Sequence, residues 1–450
     1  MKNKNPACEN NNLEKILSRW LDSHPSQRAL VVAYSGGKDS RALLEALFRL
    51  KRVREDFSLR ALHVDHGLQV LSPTWSQHCA DICETLGIPL QVIALHLAKK
   101  RYPGQSLEAV AREARYQALE SHLFDDETLL TAHHQADQAE TFLLQLLRGS
   151  SPKGLQGIAA FKKLLKGSLA RPLLATPQAV IDTFVERHQL LWKEDGSNQD
   201  QRFDRNFLRH AVLPILSQTY PQATRAIARS AQHCASTQRL LEEYLENDLQ
   251  ACLNAPLRLH VAVLKTHSFA KQAEILRFWL SKNGQRMPGR KKLGEFLRQC
   301  NEAGAAAQPV LAWDQAQLRF FGGELYLLLG PVENNVKITI CWDLAEKLIL
   351  PDGSAWCARL TRGKGIDSQR LTGPVTVRFR QGGERCQIAG NLHSQPLKKI
   401  FQAQGTPPWV RPNLPLFYQA QALVGVAGMF VCEGWQVRDR EALGWVIAPQ

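Results

Sequence analysis

One hexapeptide limits what this chain can fold into more than any other stretch. Ser35-Gly36-Gly37-Lys38-Asp39-Ser40 directly follows the apolar run Ala29-Leu30-Val31-Val32-Ala33-Tyr34 and leads into a helical pattern of Ala42, Leu43, Leu44, Ala46, Leu47 and Leu50. A short β-rich run, a tight loop and then a 3.6-residue period read as strand, loop, helix. Gly36 and Gly37 let the backbone approach a ligand with no Cβ in the way. Loop N–H groups and a helix N-terminus together suit an anion, in practice a phosphate. The loop is not a Walker A sequence, because Asp39 follows Lys38 where Ser or Thr is required and the leading glycine is missing.

Further short β patterns follow at Leu59–Val64, Leu90–Leu95 and Thr128–Ala132, with helical patterns between them, one of them from about Gln105 to His122. Strands alternating with helices predict a doubly wound parallel sheet, an α/β fold of the Rossmann-like kind. Ligands of such sheets bind beyond the carboxyl ends of the strands. Polar clusters stand at those ends: Ser35 to Ser40, Asp65-His66-Gly67 and His133-His134.

From about Pro221 the pattern changes to a long amphipathic helix and then further helices to about Ala303, with a basic stretch at Arg286, Arg290, Lys291 and Lys292. In the long helix the basic residues come first and the acidic ones last. That order opposes the helix dipole, so packing or a partner has to hold the helix in place. Beyond Pro309 the pattern turns to β, as in Leu318–Leu329, and the end of the chain carries short strands and Pro/Gly turns. The expected organisation is a catalytic α/β domain over 1–220, a mainly helical domain over 221–305 and a β-rich region over 306–450, with a last recognition domain at about 375–450.

A formal charge of +14 over 450 residues points to a polyanionic partner, nucleic acid before membrane surface. No apolar run is long enough to span a bilayer, and the N-terminus has no signal-peptide core, so a cytoplasmic protein is expected. The ten cysteines form no framework. Cys79 and Cys83 lie one turn apart on a helical pattern, where packing as small apolar residues fits better than a metal or redox pair. Free thiols in a reducing compartment are expected.

Four clusters carry the chemistry. Asp39 begins the helix after the loop, where an N-cap role or a metal role both fit. A carboxylate beside a phosphate site repels the ligand unless a hard cation lies between them. In His63-Val64-Asp65-His66-Gly67-Leu68 a packed histidine with a turn and a functional element fit about equally well. Arg112 and Arg115 share one helix face, either solvated or turned to phosphate. In Thr131-Ala132-His133-His134-Gln135-Ala136-Asp137-Gln138-Ala139-Glu140-Thr141, a helix starting near Gln135 puts Asp137 and Glu140 on one side, able to bind a cation or an ammonium group.

The hexapeptide resembles the PP-loop of the ATP pyrophosphatase superfamily, whose members split ATP between the α- and β-phosphates to adenylate an oxygen. The HxxHGL-like and ARxxRY-like elements belong to one branch of it. The HHxxDQxET block, followed by Arg148-Gly149-Ser150 and Gly154-Leu155, is similar to that of the tRNA(Ile)-lysidine synthetase family. Arg171-Pro172-Leu173-Leu174, Asp195-Gly196-Ser197-Asn198, Arg205-Asn206-Phe207-Leu208-Arg209 and the stretch from Arg378 through Arg411 agree with it. The family often carries two consecutive acids in this block, and here the first is Ala136.

The resemblance implies a ligase that forms a carbon–nitrogen bond, joining L-lysine to C2 of the wobble cytidine in the CAU anticodon of tRNA(Ile) through an adenylated intermediate. It implies ATP held by Ser35, Gly36, Gly37, Lys38, Asp39 and Ser40, with Mg²⁺ on Asp39. It also implies catalytic roles for Asp39, Arg112, Arg115, His133 and Asp137, and substrate binding by Asp137, Glu140, Arg205 and Arg209. A homodimer is compatible with the sequence. A sulfur-inserting PP-loop enzyme would need a catalytic cysteine pair, a small-molecule synthetase would not need so basic a chain, and an idle tRNA-binding module would not need Asp39.

Overall fold

The computed structural model describes residues 12–65, 72–95, 107–194, 202–304, 307–330, 338–350 and 353–449. The chain forms two compact units, 1–242 and 243–450. The elements of the first unit up to the last strand of its sheet are α1 (Leu13–Ser23), β1 (Ala29–Ala33), α2 (Lys38–Lys51), β2 (Ser58–Asp65), α3 (Ser72–Leu86), β3 (Leu90–Ala94), α4 (Leu107–Ser121), β4 (Glu127–Leu130), α5 (Gln135–Leu147), α6 (Pro152–Leu155), β5 (Phe161–Lys163) and β6 (Ser168–Ala170). The strands make one sheet in the order β3-β2-β1-β4-β6-β5. All neighbours run parallel except β5, which returns antiparallel to β6.

The alternation of β1 decides which helices cover which face. Leu30 and Val32 point into a core with Leu17, Leu43, Leu47, Cys79 and Phe184, and Val31 points to the opposite face with Leu62, Leu119, Leu129 and Leu169. Helices on both faces of the sheet bury the middle of β1 from both sides, so that strand reads as a continuous apolar run. The chain order reverses between β1 and β4, which makes the gap outside their carboxyl ends the switch-point crevice.

After β6 come α7 (Gln178–Arg187), α8 (Asp204–Phe207), a single π-helical turn over Leu208–Val212, α9 (Leu213–Thr219) and the long α10 (Ala223–Cys252). The segments His66-Gly67-Leu68 and Asp195-Gly196-Ser197-Asn198, and the expected helix start at Gln105, lie outside the described residues.

In the second unit, α12 (Phe269–Lys282) and α13 (Arg290–Glu302) share a core with the sheet β7-β8-β11-β10-β9, through Trp279, Phe296, Leu318 and Leu325 among others. These strands are β7 (Leu253–Ala255), β8 (Arg258–His260), β9 (Val310–Trp313), β10 (Ala316–Phe321) and β11 (Glu324–Leu329), and α11 (Val261–Leu264) follows β8. The apolar run Leu318–Leu329 breaks into a hairpin at Gly322 and Gly323. Both have positive φ, at 60° and 81°, as the tightest two-residue hairpin turn requires. From Thr339 to the end, short strands pack around Trp342, Phe379 and Phe417 and, in a second cluster, around Phe401 and Leu416.

The cysteines differ from expectation in one place. Six of the described ones, Cys79, Cys83, Cys234, Cys252, Cys300 and Cys341, are free thiols, but Cys386 and Cys432 are joined, Cα to Cα 6.1 Å. An antiparallel bridge between Ile388 and Cys432 brings together two segments 46 residues apart, a closeness that sequence spacing does not reveal.

Candidate active site

The hexapeptide forms the loop between β1 and α2. Gly36 has φ +79°, and a Cβ there would lie 2.5 Å from Trp75 Nε1 and 2.9 Å from Cys79 Sγ, so only glycine fits. Trp75 Nε1 donates to the Ser35 carbonyl at 3.0 Å and the Lys193 amide donates to the Gly36 carbonyl at 3.0 Å. Both loop carbonyls are thereby tied down. Inside the loop, Ser40 Oγ donates to Gly37 O and lies 3.0 Å from Ser35 Oγ.

Gly37, with no side chain to donate or accept, is the N-cap of α2, and Asp39 sits in its first turn. The capping reading of Asp39 is therefore set aside. Its carboxylate is held instead by two side chains from elsewhere in the sequence. Gln178 Nε2 donates to Oδ1 at 3.0 Å, and His134 Nε2 stands 3.6 Å from Oδ2. Burial pushes the Asp39 carboxyl upward, but His134 and Gln178 outweigh it and hold the pKa below the ordinary value. Gln178 Nε2 also donates to Asp182, and Asp182 pairs with Lys38 Nζ at 2.6 Å. One face of α7 thus grips both charged residues of the loop. An i, i+4 polar pair just after Pro177 is the signal for this contact, and it only becomes legible once α7 is known to pack beside the loop.

Across the crevice α5 begins with a capping box. His134 Nδ1 accepts from the Ala136 amide at 3.2 Å, and Asp137 Oδ2 accepts from the His134 amide at 2.9 Å. Because Nδ1 accepts, Nε2 carries the proton and faces Asp39 and Asp137, the latter at 3.4 Å. Burial alone would lower the pKa of His134, but the two carboxylates raise it. His133 behaves in the opposite way. It is fixed by Thr131 at 2.8 Å, and burial, reinforced by Arg171, Arg112 and Arg205, depresses it to about 3 against the pull of Asp137. His133 is a neutral imidazole at physiological pH.

Asp137 and Glu140 do lie on one side of α5, and they already hold cations. Arg205 Nε donates to Glu140 at 2.8 Å and its Nη2 to Asp137 at 2.8 Å. Arg209 Nε donates to Glu140 at 2.6 Å and its Nη2 to Asp137 at 3.0 Å. Glu140 is fully buried, so the two guanidiniums supply what water would otherwise give. Arg205 precedes the π-helical turn and Arg209 lies within it; such turns re-aim side chains and cluster at functional sites.

Arg112 and Arg115 flank the Tyr116 ring, their guanidinium carbons 5.4 and 5.6 Å from its centroid. Burial lowers the pKa of Arg115. The Tyr116 hydroxyl is buried without a well-aligned hydrogen bond. Burial raises its pKa, yet Arg112, Arg171 and Arg115 hold it below the ordinary value. His63 is a packed residue, its Nδ1 donating to the Tyr34 carbonyl at 2.8 Å. Cys79 and Cys83 are buried against the loop, with thiols pushed up to about 12 and about 11 by burial. Protonated thiols are poor nucleophiles. The crevice therefore joins the phosphate loop, an acid–arginine cluster and a cationic wall.

Comparison with known proteins matches this layout in order along the chain. A PP-loop domain model matches residues 9–216, a TilS substrate binding domain model 259–326 and a TilS substrate C-terminal domain model 375–447. The tRNA(Ile)-lysidine synthase of Coxiella burnetii is 40% identical over 97% of this chain and 96% of its own length. The chain belongs to the tRNA(Ile)-lysidine synthase family. A second member, from Serratia proteamaculans, is 41% identical over 96% of this chain and 97% of its own. A solved U34-tRNA thiolase from Methanococcus maripaludis covers 51% of this chain and 78% of its own, at 17% identity and a TM-score of 0.43, too slight a likeness to argue from. As a member of this family the chain is a PP-loop ligase that uses ATP. Among the described residues no helix is long and apolar enough to cross a membrane.

Proposed function

We infer that this chain ligates L-lysine to C2 of the wobble cytidine of tRNA(Ile) carrying a CAU anticodon, giving lysidine, AMP and pyrophosphate. The observation that carries the reading is the likeness to named synthases over nearly the whole length of both chains. The sequence of events follows from the chemistry. The cytidine O2 attacks the α-phosphorus of ATP and pyrophosphate leaves. C2, now bearing the adenylated oxygen, is electrophilic; the lysine ε-amine adds to it and loses a proton, and the C2–O2 bond breaks to release AMP. Positioning and charge neutralisation supply most of the acceleration.

In this reading Ser35 to Ser40 cradle the phosphates, with Lys38 braced by Asp182. Asp39 is pre-set by Gln178 and His134 to hold Mg²⁺. A single carboxylate with phosphate oxygens and water suits that ion, which takes few protein ligands where it meets a nucleotide. When bound, the ion neutralises charge that builds on the phosphates. His133, neutral and fixed by Thr131, orients the base or takes a proton. Asp137 and Glu140 attract the lysine substrate, whose ammonium competes with or displaces the Arg205 and Arg209 guanidiniums. Arg112 and Arg115 meet phosphate or RNA. Arg290, Lys291 and Lys292, with the C-terminal strands, hold the tRNA body. The cytoplasm, where tRNA is charged, is the expected location, and a homodimer stays open to test.

Pyrophosphate release tests the first half-reaction. It is expected only with tRNA, ATP and Mg²⁺ together. Release that ignores tRNA would point to a small-molecule synthetase instead.

A further inference from the structure

The first unit also holds a cavity of about 210 Å³, and of its lining residues only Arg112 has a role above. It opens between α4 and the β4-β6-β5 edge of the sheet. Its polar wall is Arg112, Tyr116, Glu120, Lys162 and Arg171, and three leucines, at 129, 164 and 169, make its apolar side. The Thr131 amide donates to the Ala170 carbonyl at 3.1 Å and the Thr131 hydroxyl lies 2.8 Å from His133 Nδ1, so the Arg171 end of the cavity adjoins the crevice. Helical side chains lean toward the helix N-terminus, so Glu120, one turn after Tyr116 and two after Arg112, reaches from the far end toward the other two. Its Oε1 is fixed by the Leu165 amide at 2.6 Å.

The contents of such a cavity are constrained by size and charge. Pockets for whole small molecules run to roughly 300–1,000 Å³, so this one suits a single pyrimidine better than ATP. Cations on its wall repel a lysine ammonium and attract phosphate. An aromatic ring carrying guanidiniums suits a nucleobase taken out of its stack. A carboxylate among cations selects further. It accepts from the N4 amino group of cytosine and repels the O4 of uracil.

We propose that this cavity receives the cytosine of the target nucleotide, C4 edge first, with N4 on Glu120 and the flanking phosphates on Lys162 and Arg171. The inference rests on the lysidine reading and deepens it. C4 lies opposite N1 on the ring, so this entry leaves the ribose and O2 at the mouth beside His133. That is the side on which O2 must meet the α-phosphate of ATP.

The test is direct binding of cytidine 5′-monophosphate to the full-length protein, by calorimetry or saturation-transfer NMR, with uridine 5′-monophosphate and inorganic phosphate as parallel arms and ATP as the control. Cytidine monophosphate is expected to bind about tenfold more tightly than uridine monophosphate. Phosphate alone should not displace it, and ATP should bind alongside it. Glu120→Gln, which keeps the Leu165 contact, should bring the cytidine-to-uridine ratio to within about twofold of one. Lys162→Ala, at an exposed side chain, should weaken both nucleotides about fivefold and leave ATP affinity unchanged.

No binding of cytidine monophosphate, displacement by phosphate or by ATP, or an unchanged ratio in a folded Glu120→Gln protein would each overturn the proposal. Lysidine formation by the wild type is scored separately by nucleoside mass spectrometry. Failure of the cavity with lysidine formed rejects this inference alone. Absence of lysidine rejects the underlying reading, whatever the nucleotides do.

Discussion

Asp39 and Gly36 carry the account at the scale of single residues, for different reasons. Asp39 is half-buried, ionised and hydrogen-bonded before any ligand arrives, so its role is chemical. Asp39→Asn keeps the Gln178 and His134 contacts in outline but loses the charge. Pyrophosphate release should fall by at least 100-fold while tRNA affinity stays within about twofold, as separate release and filter-binding assays would show. Gly36 is steric. Gly36→Ala drives a Cβ into Trp75 and Cys79 in a backbone conformation that side chains rarely adopt. A loss of about 1–3 kcal/mol in urea unfolding, together with weakened ATP binding, is expected. Cys79 and Cys83, by contrast, only pack. The double change Cys79→Ser, Cys83→Ser should keep substantial lysidine formation if the protein folds; complete loss in a folded, tRNA-binding protein would bring back sulfur transfer.

At the scale of elements, α5 and the turn carrying Arg205 and Arg209 form one electrostatic unit. Removing one partner of a buried ion pair leaves charge uncompensated, so Glu140→Ala should cost about 3 kcal/mol, toward the low end because the Arg209 side chain is 36% exposed. The pH dependence has a definite sign. Asp137 has a folded-state pKa below its ordinary value of 3.8, despite burial, because His134 and Arg205 favour its charge. Its contribution to stability is therefore complete above about pH 5 and disappears as pH falls through the depressed value. Asp137→Asn should be less stable than wild type at pH 7, and the gap should narrow as pH falls below about 4; a gap independent of pH would contradict the ion-pair account. The sequence displayed α5 itself plainly, since a histidine cap, an acid at the third position and an apolar run are local signals. It also placed Asp137 and Glu140 on one side. It did not show that Arg205 and Arg209 meet them, because that contact closes a loop of more than 60 residues. Gln178 was invisible for the same reason. His63 and the Asp39 cap were ambiguous because a packed or capping residue and a functional one share the same local pattern.

At the scale of the whole molecule, the question is how a catalytic sheet finds one tRNA. Strand–helix alternation made the doubly wound sheet legible, and the basic charge pointed to RNA. The Cys386–Cys432 pairing and the sharing of one core by the helices and the strands that follow them were not legible, since both depend on long-range packing. Arg290, Lys291 and Lys292 open α13 in its first turn. If they meet the RNA backbone, replacing all three by alanine should weaken every tRNA alike and flatten the salt dependence of binding by up to about three units of log–log slope. An unchanged slope would remove them from the interface. The central claim is the reaction. Its most direct measurement is nucleoside mass spectrometry of tRNA(Ile) with a CAU anticodon after incubation with the protein, ATP, Mg²⁺ and lysine. The account predicts one lysidine at the wobble position, with one AMP and one pyrophosphate released for each lysine incorporated. An unmodified cytidine with the full-length, ATP-binding protein, or a thiolated base when a sulfur source is supplied, would contradict it.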